Sequence, residues 1–258
     1  MLKQNQFADD INYWEAKVKM KELIKKILKS CRLGKLLYPI VQRIYKIFNI
    51  PKKRRLLQRN GLEILRVLDS TLHDLNIEYF VDYGTLLGVI REGGFIKTDD
   101  DIDITICNPE VDARMLVRQL LERGFEFIHA LEYQGKTRLF SMSWRGTSVD
   151  FYLRDWSEDR AEYWSYGIYF DPHLVYPGEE WNSCRRICYP LSMVPERFQF
   201  KGITISIPHG AEEHLKFEYG VDWRIPDPSC KSVSDKKVLV MSDFARRVIS
   251  LEKFLNGE

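Results

Sequence analysis

The sequence predicts an α/β (α+β) fold, a mixed β-sheet with helices packed on it and a basic helical arm ahead of it. Three observations support this prediction. Apolar residues recur at helical spacing through the first 75 positions, strand-like and helical runs then alternate before strands follow one another, and basic residues are concentrated near the N-terminus. With 258 residues the chain can bury one sizeable core and still carry an appendage. The expected division is an arm over 1–55 and one domain over 56–258.

The arm reads as two amphipathic helical pieces. Trp14, Val18, Leu23, Ile24, Ile27, Leu28 and Cys31 recur at helical spacing. Gly34 and Pro39 interrupt the pattern, and a second piece carries Ile40, Val41, Ile44, Ile47 and Phe48 up to Pro51. Over 17–55, ten Lys and four Arg face one acid, Glu22, for a net of +13. Residues 1–16 contribute −2, so 56–258 must carry −9 for the chain to total +2. A basic amphipathic segment with a Trp, spanning 13–55, suits an anionic membrane surface. The other reading is a helical hairpin packed on the acidic body with its lysines solvated. A nucleic-acid partner is not expected, because the acidic body would repel it.

Beyond the arm, Leu62, Leu65, Leu68 and Leu72 mark a long helix over 56–75, followed by a short strand at 77–81. Gly84-Thr85 opens a helix running through Leu86, Leu87, Val89 and Ile90, and Gly93-Gly94 can end it. A strand follows at 101–106, then a helix from Pro109 to Gly124. Strands are expected at 125–131, 138–144, 148–153 and 203–207, and closing helices at about 211–219 and 242–255. The aromatics Tyr163, Trp164, Tyr166, Tyr169, Phe170 and Trp181 read as core, with a sugar or quaternary-ammonium pocket as the functional alternative.

The chemistry lies between 80 and 104. In Asp101-Ile102-Asp103-Ile104 a strand would send both carboxylates to one face and both isoleucines to the other. Asp is disfavoured within strands, and two parallel carboxylates repel unless a cation neutralises them. Hard oxygen ligands of this kind suit Mg²⁺ or Mn²⁺. Asp99 is expected either to act in donor binding or to support the metal ligands from behind, and Asp100 to point to the opposite face as the least likely ligand. The N–H groups and hydroxyl at Gly84-Thr85 can hold a phosphate, and the Arg91 guanidinium suits one. Asp150 is again an acid in a β-prone run; with its strand beside 101–106 it would complete the metal site and could take a proton from an attacking hydroxyl. A phosphate cradle followed about fifteen residues later by a metal-binding acid pair describes a site for a nucleotide's phosphates.

Composition excludes other classes. No run reaches the roughly eighteen apolar residues that span a bilayer, and the N-terminus lacks a signal-peptide h-region, so a cytoplasmic protein is expected. Five cysteines, odd in number and scattered, do not suggest a disulfide framework. Cys184 and Cys188 lack a second pair, and His209 and His214 lack the Glu of a zinc helix, so structural zinc is not expected.

The run Tyr83-Gly84-Thr85-Leu86-Leu87-Gly88-Val89-Ile90-Arg91, then Gly94-Phe95-Ile96, then Asp99-Asp100-Asp101-Ile102-Asp103-Ile104, resembles the signature of the LicD/fukutin family. Val149-Asp150-Phe151-Tyr152 resembles the family strand that brings a third acid to the metal, and Tyr219-Gly220-Val221-Asp222-Trp223 its C-terminal Tyr-Gly segment. At Lys97-Thr98 the chain departs from the family's usual Pro-Trp. The resemblance implies a nucleotidyltransferase-like fold for a catalytic domain at 56–258. It also implies transfer of a phosphorylated alcohol, phosphocholine or an alditol phosphate, from a CDP-activated donor to a glycan, which can be lipid-linked, in polysaccharide or lipopolysaccharide assembly. Metal would sit on Asp101, Asp103 and Asp150, with Gly84, Thr85, Arg91 and Asp99 at the donor. That work would take place in the cytoplasm, peripheral to the inner face of the cell membrane. Two alternatives stay open at this point, transfer of NMP from an NTP to a hydroxyl, and an inactive membrane-associated scaffold of the same fold.

Overall fold

Leu57, Ile64, Leu65, Leu68 and Leu72 are fully buried along one stripe of helix α1 (Arg32–Asp74), which delivers the chain to the first strand. The computed structural model describes residues 32–108, 110–160, 162–169, 181–226 and 238–257. Contacts divide the chain into two compact units, 1–52 and 53–258. The helical piece expected before residue 32 lies outside the described residues. The breaks expected at Gly34, Pro39 and Pro51 do not occur, since α1 runs through all three. A helical proline loses one backbone bond and crowds the preceding turn, but each further helical residue adds a bond.

In the second unit, strands β1 (Tyr79–Val81), β2 (Asp101–Ile106), β3 (Glu126–Tyr133), β4 (Lys136–Trp144) and β5 (Thr147–Leu153) are joined by β6 (Asp155–Trp156), β7 (Tyr163–Tyr169), β8 (Trp181–Tyr189) and β11 (Val238–Val248). Among the described residues they form a nine-stranded sheet in the order β1-β2-β5-β4-β3-β11-β8-β7-β6. The sheet is mixed, because β2 and β5 run parallel while β1–β2, β4–β5 and β3–β4 are antiparallel. A separate hairpin pairs β9 (Pro195–Phe200) with β10 (Ile203–Pro208).

Helix α2 (Tyr83–Leu87) continues as a π-helical turn, Gly88–Glu92, and ends at Gly93 in the left-handed region. Helix α3 (Ala113–Glu122) is capped by the Asp112 carboxylate, which accepts from the N–H groups of Arg114 and Met115. Ile102, Ile104 and Ile106 of β2, Val149 and Phe151 of β5 and Phe140 of β4 pack with the α1 leucines and with Leu116, Val117 and Leu120 of α3 in one core. Helix α4 (Ala211–Tyr219) matches its expected place. The helix expected over 242–255 is instead β11 followed by a short helix α5 (Leu251–Asn256). Val238-Leu239-Val240 is β-prone, and pairing with β3 on one side and β8 on the other supplies ladder bonds that helical periodicity does not reveal. No helix among the described residues is long and apolar enough to cross a membrane.

Candidate active site

Because the β2 isoleucines enter the core, Asp101 and Asp103 project from the opposite face of the sheet. On β5 the same alternation buries Val149, Phe151 and Leu153 and turns Asp150 and Tyr152 to that face; Arg154, just past the strand, lies against the Tyr152 ring. The parallel register sets Asp103 beside Asp150 and Thr105 beside Tyr152. From β4, Ser141 lies opposite Asp150, and its hydroxyl donates to Asp150 Oδ1 at 2.6 Å. Asp103 is buried, its backbone N–H donates to Thr85 Oγ1 at 2.9 Å, and its Oδ1 accepts from the Tyr152 hydroxyl at 3.1 Å. Thr85 therefore ties the start of α2 to the acid strand.

The carboxylates of Asp99, Asp100 and Asp101 gather with ligand oxygens within 4.8 Å of one another. Asp100 does not point away, because β2 begins only at Asp101 and strand alternation does not reach back into the turn. In that turn Asp99 Oδ1 accepts from the Asp100 N–H at 3.0 Å. Gly84 makes room for this arrangement, since a Cβ there would run into Asp99 Oδ2. At Gly88 a Cβ would come within 2.5 Å of the Gly94 carbonyl, so α2 packs directly on the loop that leads to the acids.

Burial and mutual repulsion raise every acid of the site whose shift is resolved. Burial and the Asp101 charge push Asp99 up to about 7, and the two side chains share a hydrogen bond. Burial and Asp101 raise Asp150 to about 6 against the stabilising Ser141 bond. Asp103 lies well above the usual range through burial and the charges of Asp101, Asp150 and Asp99. Carboxylates held together and resisting ionisation form a hard-oxygen set whose strain a divalent cation would relieve, so the donor chemistry fits Mg²⁺ or Mn²⁺.

A second tier supports this face. Asp82 caps α2 by accepting from the Tyr83 N–H at 2.8 Å, and its Oδ2 accepts from Thr105 Oγ1 and Arg154 Nη2, each at 2.7 Å. The Arg154 side chain is 1% exposed and stacks against the rings of Tyr83, Tyr152, Tyr163 and Tyr189 at 4.8–5.4 Å. Tyr83 has φ +43°, a strained conformation for a side-chain-bearing residue, and its ring packs on Tyr152 at 5.1 Å. Sequence reasoning missed Asp82, Ser141, Tyr152 and Arg154. A signal existed for Tyr152, which alternates with Asp150 on one face of β5.

Arg91 is engaged elsewhere, its Nη1 donating to the Trp223 carbonyl at 3.0 Å and its Nε to Glu92 at 2.8 Å. It thus fastens the end of α2 to the Tyr-Gly segment after α4.

The sequence model of the family described as LicD/FKTN/FKRP, nucleotidyltransferase domain, matches residues 76–210, just over half of the chain. An uncharacterised protein of Rickettsia typhi is 32% identical over 83 residues, covering 30% of this chain and 26% of its own. Another from Rickettsia prowazekii is 32% identical over 87 residues, 32% of each chain. The chain thus spans about a quarter to a third of the length of these curated relatives.

Proposed function

The chain belongs to the LicD/FKTN/FKRP nucleotidyltransferase-domain family, and on that premise we propose that it transfers phosphocholine or an alditol phosphate from a CDP-activated donor to a glycan hydroxyl. The setting would be assembly of a surface polysaccharide or lipopolysaccharide. Phosphotransferase-type modification of a glycan is what the family implies, while the cytidine donor and the metal are part of the proposal. The observation that carries it is the row Asp101, Asp103 and Asp150 on one sheet face, beside the start of α2.

A divalent cation on Asp101, Asp103 and Asp150 would neutralise a diphosphate there. The acceptor hydroxyl oxygen would attack the phosphorus next to the alcohol, the bond to the departing phosphate would break, and CMP would leave. Asp150, raised to about 6 and hydrogen-bonded by Ser141, suits the proton that the hydroxyl gives up. Asp103, fixed by Thr85 and Tyr152, sets the position of the row, and Asp99 closes it on the donor side. The acceptor would be a glycan that can be lipid-linked, reached at the inner face of the membrane by a cytoplasmic protein whose basic segment 13–55 contacts anionic lipid. Co-sedimentation with anionic vesicles at low and high salt tests that contact.

Thermal unfolding of the full chain with Mg²⁺ and CDP-choline, CDP-ribitol or CDP-glycerol tests the donor class. A donor at about a hundred times its Kd adds about 2.7 kcal/mol to stability. Stabilisation by NTPs alone, with none by any CDP-alcohol, would overturn the proposal in favour of NMP transfer.

A further inference from the structure

Lys53 lies one helical turn before buried Leu57 on the stripe of α1 that continues through Asn60 and Ile64, so it leaves the helix toward the body of the unit. Its Nζ stands 3.4 Å from Asp100 Oδ2, and its charge also acts on Asp101 and Asp150. The helix is held in that place by the acid loop itself. Gln58 Nε2 donates to the carbonyls of Phe95 and Ile96, each at 3.2 Å, and Gly61 leaves space for the Phe95 ring, which a Cβ would meet at 2.5 Å.

We propose that Lys53 is a phosphate-contacting residue of the donor site, whose ammonium exchanges Asp100 for an oxygen of a metal-bound nucleoside diphosphate. The inference rests on the reading of this face as a nucleotide-phosphate site. Asp99, Asp100, Asp101, Asp103 and Asp150 bring five carboxyl groups to it. Even with part of that set protonated, one divalent cation leaves negative charge on the ligated carboxylates and a diphosphate unbalanced. A further cation at the rim supplies what is missing, while Arg91 is engaged by Trp223 and Glu92 and Arg154 is sealed against Asp82. The Lys53 and Asp100 side chains are 42% and 34% exposed, so their pair is solvated and adds little to folding. A lysine on a flexible four-carbon stem can change partner without moving the helix. A surface ion pair alone would leave ligand binding untouched.

The test uses the full chain and calorimetric titration with Mn²⁺ alone, with CDP in Mg²⁺, and with pyrophosphate in Mg²⁺, for wild type, Lys53→Met and Lys53→Arg. Lys53→Met should bind Mn²⁺ alone as well as wild type or several-fold tighter, because a competing cation is gone. The same variant should bind CDP and pyrophosphate roughly tenfold to a hundredfold more weakly, the scale of one charge-assisted hydrogen bond. Lys53→Arg should recover most of that loss, which also shows that the position tolerates substitution. Equal loss for Mn²⁺ and for the diphosphates, or no loss for the diphosphates, overturns the assignment. If wild type binds pyrophosphate but not CDP, the cytidine reading fails while the Lys53 assignment is still decided by the pyrophosphate titrations. Wild type that binds no diphosphate at all overturns both.

Discussion

Replacing Asp150 by Asn should stabilise the protein without metal and weaken it with metal. Burial and the neighbouring Asp101 charge hold the Asp150 carboxyl at about 6, against about 3.9 for an exposed aspartate. The raised value means the folded state holds this proton more tightly than the unfolded state. Its contribution to stability is fully present below the unfolded pKa and lost as pH rises through about 6. At pH 8 the ionised carboxylate costs the fold about 3 kcal/mol, near 2 units at about 1.36 kcal/mol each, and at pH 4 only about 0.5 kcal/mol. Asn carries no charge and still offers Ser141 an acceptor, so most of that cost should disappear. Urea unfolding in chelator should therefore show a gain of about 3 kcal/mol at pH 8, shrinking toward zero at pH 4, or about 6–12 °C in Tm at the higher pH. With Mg²⁺ the order should reverse, because the variant has lost a ligand. A variant less stable than wild type at pH 8 in chelator, or one with the same gain at both pH values, would refute the electrostatic account of this face.

Arg154→Leu should cost roughly 3–5 kcal/mol, because it leaves the Asp82 carboxylate buried without its partner; in urea unfolding, the double variant with Asp82→Asn should recover part of that loss. Gly84→Ala should leave thermal stability within about 1 kcal/mol of wild type, since alanine favours helix and the clash is with a rotatable carboxylate. Its Mn²⁺ affinity should fall several-fold by calorimetry as Asp99 is displaced. Mn²⁺ affinity of the wild type should rise as pH increases through about 6, with protons released on binding, because Asp150 at about 6 and Asp103, raised above the usual range, must ionise to ligate the metal; titration in buffers of different ionisation enthalpy counts those protons.

The acid strand was legible because Asp101 and Asp103 alternate with isoleucines, and a period of two needs no tertiary information. Asp150 was legible for the same reason, although its pairing with β2 rests on a parallel register across 47 residues. Asp100 was misread because alternation was carried one residue past the start of the strand. Lys53 and Arg154 were invisible, since their partners Asp100 and Asp82 lie 47 and 72 residues away and a charged residue in sequence reads first as solvated. The continuity of α1 through three helix-disfavouring residues, and the strand at 238–248, were decided by neighbours that local periodicity does not contain. The LicD-type run itself was legible because its turn and acids fall within about 25 residues and depend on each other chemically.

Transfer from a CDP-activated alcohol by Asp101, Asp103 and Asp150 is tested most directly by nucleotide product analysis. The full chain, incubated with Mg²⁺, a glycan acceptor and each of CDP-choline, CDP-ribitol and CDP-glycerol, should release CMP from at least one donor, with release abolished in Asp101→Asn and Asp103→Asn. Pyrophosphate from CTP with no CMP from any donor, or CMP release undiminished in both variants, would contradict it.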